Sequence, residues 1–164
     1  MRKLMMLMSL MVLSLAFITG CNSNVDEATK AAEKYKNAEY TVKASEDLFS
    51  EESIGARNEE MTSYFTDYFS EKAVLNRYTA LPLRVAYKHK LSLQPDNLKF
   101  SLSDQKKDIV ELKYTVDLVL LDEEDKESRR VPLEGILTLF DVDGQWLVQG
   151  DRFDKEAFNK LTND

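Results

Sequence analysis

The chain has 164 residues, 22 of them basic and 29 acidic, so its net charge at neutral pH is −7. This length suffices for one domain with a hydrophobic core and is short for two. The acidic balance argues against a nucleic-acid partner, because a protein that neutralises phosphates needs a basic surface. With one histidine, one cysteine, no phosphate-binding Gly loop and no Gly-x-Ser-x-Gly motif, the sequence predicts no metal, no cofactor and no nucleophilic catalysis.

The first 20 residues have the three-part arrangement of a signal peptide. Arg2 and Lys3 precede an apolar run over residues 4–18. As a helix this run would span about 22 Å, which is short of a hydrocarbon core of about 30 Å. A cleaved leader is therefore predicted in preference to a spanning helix.

The leader ends in Ile18-Thr19-Gly20-Cys21, and Cys21 is the only cysteine of the chain. The order aliphatic, small, Gly, Cys resembles the lipobox of bacterial lipoproteins. The resemblance implies that a diacylglyceryl group is attached to Cys21, that cleavage removes residues 1–20, and that the lipid anchors the protein on the extracytoplasmic face of the cell membrane. Two acyl chains would give stable anchoring without a transmembrane helix. The alternative is an ordinary secretory signal with a cysteine near its cleavage site.

Removal of residues 1–20 would leave 20 basic and 29 acidic residues, a net charge of −9. Residues 21–25 are then a lipid-anchored tether and residues 26–164 a single α+β domain. This charge disfavours electrostatic docking on anionic lipid. Only Asn22-Ser23-Asn24 separates Cys21 from the first predicted helix, and at about 3.5 Å per residue these three residues reach on the order of 10 Å, so protein partners are expected close to the bilayer.

The N-terminal half of the mature chain is predicted to be helical. An alanine-rich stripe is followed by β-branched residues that weaken the helix near Tyr40-Thr41-Val42. Ser70 is the expected N-cap of a later helix, and Pro82 is expected to end it. A core-facing stripe at helical spacing consists of Met61, Tyr64, Phe65, Tyr68 and Phe69. These patterns predict helices over residues 25–48, 58–69 and 71–80, with a loop over 50–57 around Gly55.

From Leu83 onward apolar residues alternate with polar ones, which is typical of half-buried strands. Alternate residues from Val110 to Leu120 form the longest apolar face, and Asp143-Gly144 is a strong two-residue hairpin signal. The pattern predicts strands over 83–93, 98–102, 110–120, 131–142 and 145–148, turns over 94–97 and 103–107, a charged loop over 122–127, and a closing helix over 155–161.

The predicted order is helices first, then an antiparallel meander. The last predicted hairpin contains Asp143-Gly144-Gln145-Trp146-Leu147-Val148, with Asp151 and Phe153 just beyond. This order and ending resemble the NTF2-like and cystatin-like superfamily, which implies an α+β fold with N-terminal helices packed on a curved antiparallel sheet. The resemblance also implies a concave pocket. Relatives with this architecture include enzymes, ligand-binding proteins and assembly modules of secretion or conjugation machinery, so the fold does not choose among functions.

His89 is the sharpest candidate for chemistry. It is the only histidine and falls in the apolar register of the predicted strand over 83–93, so its imidazole is expected to face the concave pocket as a general base. Tyr87, Tyr114 and Trp146 are the other expected pocket residues. The alternatives are a structural histidine bonded to a backbone group, and aromatic side chains that are plain core.

The acidic loop over 122–125 is a second candidate, since Ca²⁺ takes several oxygen ligands. It lacks the spacing and the central glycine of an EF-hand loop, so a solvated hairpin tip is the preferred interpretation.

The sequence therefore predicts a non-catalytic binding or protein-interaction module of the cell envelope. Its partners are the membrane, through the lipid on Cys21, and another envelope protein. The alternative function is a small-ligand binder or enzyme that uses the concave pocket near His89. A third hypothesis is a lipoprotein that scaffolds or protects a neighbour, as an immunity or exclusion lipoprotein would.

Overall fold

The structure, a computed structural model, describes residues 20–163, with side chains from residue 23 onward. The predicted leader, apart from Gly20, and the side chain of Cys21 lie outside the described residues. Within this range, the elements in chain order are α1 (Gly20–Tyr40), α2 (Glu51–Thr62), α3 (Asp67–Leu75), α4 (Leu81–His89), β1 (Ser92–Lys106), β2 (Ile109–Leu121), β3 (Glu127–Val142), β4 (Gln145–Phe153) and α5 (Lys155–Asn163).

The four strands form one antiparallel sheet in the order β1-β2-β3-β4, with the helices packed on one face. Alternate residues of β2, from Val110 to Leu120, are buried beneath the helices, as the sequence predicted. The α+β class and the arrangement expected of an NTF2-like or cystatin-like domain are confirmed.

Helix α1 lies across the covered face of the sheet and ends at Tyr40, where the β-branched residues begin. The prediction of a helix to residue 48 was wrong beyond this point. The guanidinium of Arg57 in α2 donates to the carbonyl oxygens of Ala38 (3.0 Å) and Glu39 (2.6 Å), which satisfies two acceptors that a helix end leaves open. Val42 then pairs with Leu93 at the outer edge of β1, so the chain after α1 is extended.

The predicted loop over 50–57 is instead the first half of α2. Ser50 caps this helix by accepting a hydrogen bond from the backbone N–H of Ser53 at 3.1 Å, and Glu51 and Glu52 lie in its first turn, where the helix dipole favours them. Gly55 does not break the helix. A Cβ at this position would meet nothing within 4 Å, so packing does not require a glycine here.

The predicted helix over 58–69 is interrupted. The backbones of Tyr64 and Thr66 pair with Val148 of β4, at 2.9 and 3.0 Å, and this pairing extends the chain between α2 and α3. Thr66, and not Ser70, is the N-cap of α3, because its hydroxyl accepts from the backbone N–H of Phe69. The break turns Tyr68 outward, where it is 64% exposed.

The predicted strand over 83–93 was also wrong, because residues 81–89 form α4. Pro82 lies in the first turn of this helix rather than ending the previous one, and proline is tolerated there because a first turn does not use its N–H groups. Leu83 and Val85 are buried, as either period would allow, but Ala86, which the strand prediction placed on the polar side, is buried as well because it follows Leu83 by three residues on the helix. Lys90 ends the helix in the left-handed conformation, with φ 55°.

Two predicted turns lie mainly within β1. Residues 94–97 belong to the strand. The residues that favour a turn form a β-bulge at residues 97–98 instead, where Asn97 has a φ of 52°. A second bulge at Ser103 carries the strand through to Lys106. Strand β1 is therefore much longer than the predicted strand over 98–102.

The C-terminal predictions are confirmed. Asp143 and Gly144 both have positive φ, 52° and 83°, as a primed two-residue hairpin turn requires. Residues 122–126 form the turn between β2 and β3, and α5 buries Phe158 and Leu161 against the core.

Candidate functional site

Three buried charged side chains meet between α1 and β4. Lys36 Nζ lies 2.5 Å from Glu39 Oε2, 2.6 Å from Asp151 Oδ2 and 3.2 Å from the Tyr40 hydroxyl. An ammonium group has three N–H donors, and each here has an acceptor. The Lys36 side chain is fully buried and that of Asp151 nearly so.

Tyrosine side chains complete the arrangement. The Tyr35 hydroxyl donates to Asp151 Oδ2 at 2.9 Å and lies 3.2 Å from Glu39 Oε1. The Tyr114 hydroxyl lies 3.4 Å from Asp151 Oδ1, and Lys36 Nζ is 4.2 Å from the centre of the Tyr114 ring, within cation–π range. We call this group the lysine cluster; its members are Tyr35, Lys36, Glu39, Tyr40, Tyr114 and Asp151.

The local sequence explains why these groups converge. Lys36 is four residues after Ala32, so helical spacing places it on the face that α1 packs against the sheet. Tyr114 is opposite Gly135 in β3, where a Cβ would lie only 2.5 Å from the Tyr114 hydroxyl oxygen. Because Gly135 has no side chain, the Tyr114 side chain can lie over it and reach Asp151.

The cluster contains one cation and two carboxyl groups. Burial raises the pKa of Glu39, and Asp151 raises it further, while Lys36 lowers it without reversing the shift. Burial alone would lower the pKa of Lys36, but the attraction of Asp151 and Glu39 outweighs burial and raises it. Lys36 is therefore stabilised as a cation, and burial disfavours the charged form of Glu39.

The space beside the cluster is too small for a substrate. A cavity of about 10 Å³ adjoins Glu39 and Asp151 and is otherwise lined mostly by apolar and aromatic side chains, including Met61, Phe65 and Phe153. This volume holds about one water molecule, whereas ligand pockets enclose roughly 300–1,000 Å³. The cluster joins α1 to β4, and the cavity beside it is too small to admit a ligand.

The residues expected to form a concave pocket are not brought together. His89 is the last residue of α4, and its Nε2 lies 2.7 Å from the Leu161 carbonyl oxygen, so it joins α4 to α5. Tyr87 is 51% exposed and stacks on Phe49 with ring centres 5.9 Å apart. Tyr114 belongs to the lysine cluster.

Trp146 lies near the start of β4, 7% exposed, and borders a shallow surface groove with Lys34 and Tyr64. In the acidic turn, Asp122 accepts from the backbone N–H groups of Glu124 and Lys126, both at 2.9 Å. The described part of the chain has no group of three or more His, Cys, Asp or Glu side chains placed to hold a metal ion.

Sequence reasoning missed Lys36, Glu39 and Asp151. A signal was present for two of them, since Lys36 and Glu39 follow the buried Ala32 at spacings of four and seven. Nothing local marks Asp151, because its partners lie 115 residues away on α1.

No helix between residues 20 and 163 is both long and apolar enough to cross a membrane. No protein-family model and no curated protein sequence matches the chain.

Solved structures share its fold. One is a periplasmic fragment of TraM, with a TM-score of 0.57 and 12% identity, covering 78% of this chain and 95% of that one. Another is an IcmL-like type IV secretion system protein from Legionella pneumophila, with a TM-score of 0.54 and 17% identity, covering 76% of this chain and 87% of that one. At these identities the likeness establishes the α+β fold.

Proposed function

We propose that the protein is a lipid-anchored module of the cell envelope that binds another protein and catalyses no reaction. The observation that carries this proposal is the small size of the cavity beside Glu39 and Asp151, about 10 Å³. Ligand pockets are far larger, which favours a function of the surface.

The anchoring part of the proposal rests on the lipobox-like residues at positions 18–21. The fold likeness to a periplasmic fragment of TraM and to a secretion-system protein is compatible with a location outside the cytoplasm. With its lipid in the membrane and Cys21 in the first turn of α1, the domain would meet partners that lie close to the bilayer.

The alternative of an enzyme or ligand binder near His89 is less favoured. The imidazole is engaged with the Leu161 carbonyl oxygen, which is the structural role considered as the alternative for this residue. A substrate would have to displace that contact between α4 and α5.

Anchoring is tested by mass spectrometry of the full chain purified from bacterial membranes. The expected mature protein begins at Cys21 and carries diacylglyceryl on its sulfur, and Cys21→Ser is expected to lose both the lipid and the membrane association. An intact leader or an unmodified thiol at Cys21 would contradict the proposal.

The interaction part is tested by cross-linking in intact cells, followed by purification of the anchored protein. A protein partner is expected at a fixed ratio to the wild type, and His89→Ala is expected to leave that ratio unchanged. Recovery of nothing above the level seen with an unrelated lipoprotein would count against an interaction module.

A further inference from the structure

Strand β1 lies at the edge of the described sheet, and Leu93 on its outer side pairs with Val42. Farther along, Phe100 and Leu102 present N–H and C=O groups outward, and such an edge is a template for another strand. Pro95 has no N–H, and the N–H of Gln105 is bonded to Asp104 Oδ1. Leu102, near the middle of this edge, is 50% exposed.

The two bulges give β1 an unusual charge pattern on its solvent-facing side. The even-numbered residues of β2 are buried beneath the helices, so its odd-numbered residues mark the other side of the sheet. The β1 residues on that side are those that pair with odd-numbered residues of β2. Each successive pair advances by two positions along β2. In order, these β1 residues are Asp96, Lys99, Ser101, Asp104 and Lys106, opposite Asp117, Thr115, Lys113, Glu111 and Ile109.

The charges in this order are negative, positive, neutral, negative and positive. When a second copy runs antiparallel to the first, each charged residue can therefore lie opposite a residue of opposite charge. Two identical antiparallel strands are related by a two-fold axis perpendicular to the sheet, so only residues on the same face can lie opposite one another. With the axis at Ser101, Lys99 of each copy lies opposite Asp104 of the other, and Asp96 lies opposite Lys106. On the helix-covered side of the sheet, Phe100 lies opposite Leu102 and covers its exposed surface.

Neighbouring registers bring like charges together. With the axis moved one position to Phe100, Asp96 would face Asp104. With the axis at Leu102, Lys99 would face Lys106. Like charges directly opposite on paired strands are destabilising, so the pattern selects the Ser101 register. Lysines on a strand edge ordinarily discourage pairing, but in this register each lysine meets a carboxylate.

We propose that the β1 edge is a self-association surface, on which a second copy of this chain pairs antiparallel about Ser101 to form an eight-stranded sheet. Asp96 would share its carboxylate between Lys106 of the other copy and its own Arg130, whose Nη1 lies 2.6 Å away. Asp104 accepts from the backbone N–H of Gln105 with one oxygen, Oδ1, and its other oxygen faces Lys99 of the other copy.

Site-specific disulfide formation tests the register. In the full chain purified in detergent, Ser101→Cys is expected to give a covalent dimer under mild oxidation, because side chains directly opposite on paired strands have Cβ atoms about 4.5–5.5 Å apart. Lys113→Cys is the matched control, since it is exposed on the same face one strand farther from the edge. Wild type reports any background from Cys21.

Charge reversal tests the pairing independently, by sedimentation of the same detergent-solubilised chain. Lys99→Asp and Asp104→Lys are each expected to weaken the dimer at least about tenfold, because each creates two like-charge contacts per dimer. The double variant restores both contacts and is expected to return within about threefold of wild type. Lys113→Asp is the matched control and leaves the dimer unchanged.

The proposal is overturned if Ser101→Cys forms no more dimer than Lys113→Cys. It is also overturned if the double charge reversal fails to recover what the single reversals lose, or if Ser101→Cys cross-links only to a different protein.

Discussion

Replacing Lys36 with methionine is the most informative perturbation of the lysine cluster. Methionine fills a similar volume but leaves Glu39 and Asp151 buried together without a cation. Both carboxyl groups lie within 2.6 Å of the ammonium that the substitution removes. A buried carboxylate without a partner is among the most unfavourable groups that a fold can contain.

The expected loss is large relative to the total stability. Breaking a buried ion pair by removing one partner costs about 3–5 kcal/mol, and domains are stable by about 5–15 kcal/mol. At about 2–4 °C per kcal/mol for a chain of this size, Lys36→Met should lower the thermal midpoint by about 6–20 °C. The loss should shrink at acidic pH, where Glu39, whose pKa is raised by burial, takes up a proton.

Denaturant unfolding at pH 7, followed by the fluorescence of Trp146, measures this loss. Trp146 is the single tryptophan of the chain and is mostly buried. Lys34→Met is the matched control, because Lys34 lies on the exposed side of the same helix and should change stability by less than about 0.5 kcal/mol. A variant that also carries Glu39→Gln and Asp151→Asn removes all three charges and should recover most of the loss.

The reasoning is refuted if Lys36→Met costs less than about 1 kcal/mol at pH 7, well below the cost of an unpaired buried charge. It is also refuted if the triple variant is no more stable than Lys36→Met, since the charges themselves would then not be the cause.

Three further predictions concern the same core. Since the folded pKa of Glu39 is raised, its contribution to stability is fully present below its unfolded pKa of about 4.3 and is lost as pH rises through the folded value. When Glu39→Gln and wild type are unfolded side by side between pH 4 and 8, the variant should gain stability relative to wild type as pH rises. A relative loss would contradict the assignment. Gly135→Ala should cost about 1–3 kcal/mol in denaturant unfolding, because the new Cβ meets the Tyr114 hydroxyl, whereas Gly150→Ala, with its nearest neighbour at 4.0 Å, should be much milder; equal effects would rule out the proposed steric role. Thr66→Ala removes the cap of α3 and should lower the thermal midpoint by an amount equivalent to about 1 kcal/mol, while Thr66→Ser should stay close to wild type.

Sequence patterns predicted the secondary structure correctly where the local residues are compatible with only one conformation. The alternating apolar residues of β2 can be buried together only as a strand, and Asp143-Gly144 accepts positive φ at both positions of a tight hairpin turn. The closing helix over residues 155–161 and the order of helices before strands followed in the same way. These features determined the α+β class before any long-range contact was known.

Patterns failed where a short stretch of sequence is compatible with two periods. The alternation of Leu83, Val85 and Tyr87 fits a strand, but these residues lie on a helix that begins at Leu81. The aromatic run over 58–69 reads as one helix until Val148 pairs with the backbone between Tyr64 and Thr66. In both cases tertiary contacts overrode local preference.

By itself, the sequence determined the α+β class and the succession of antiparallel hairpins, since each depends on residues that are close in the chain, and it predicts a lipobox at Cys21. Only the tertiary structure decided that Lys36 is buried with two carboxyl groups, that His89 joins two helices, and that the cavity beside Glu39 and Asp151 has a volume of only about 10 Å³. Those facts depend on residues more than 70 positions apart, and the burial that determines their energies exists only once the sheet and helices have packed.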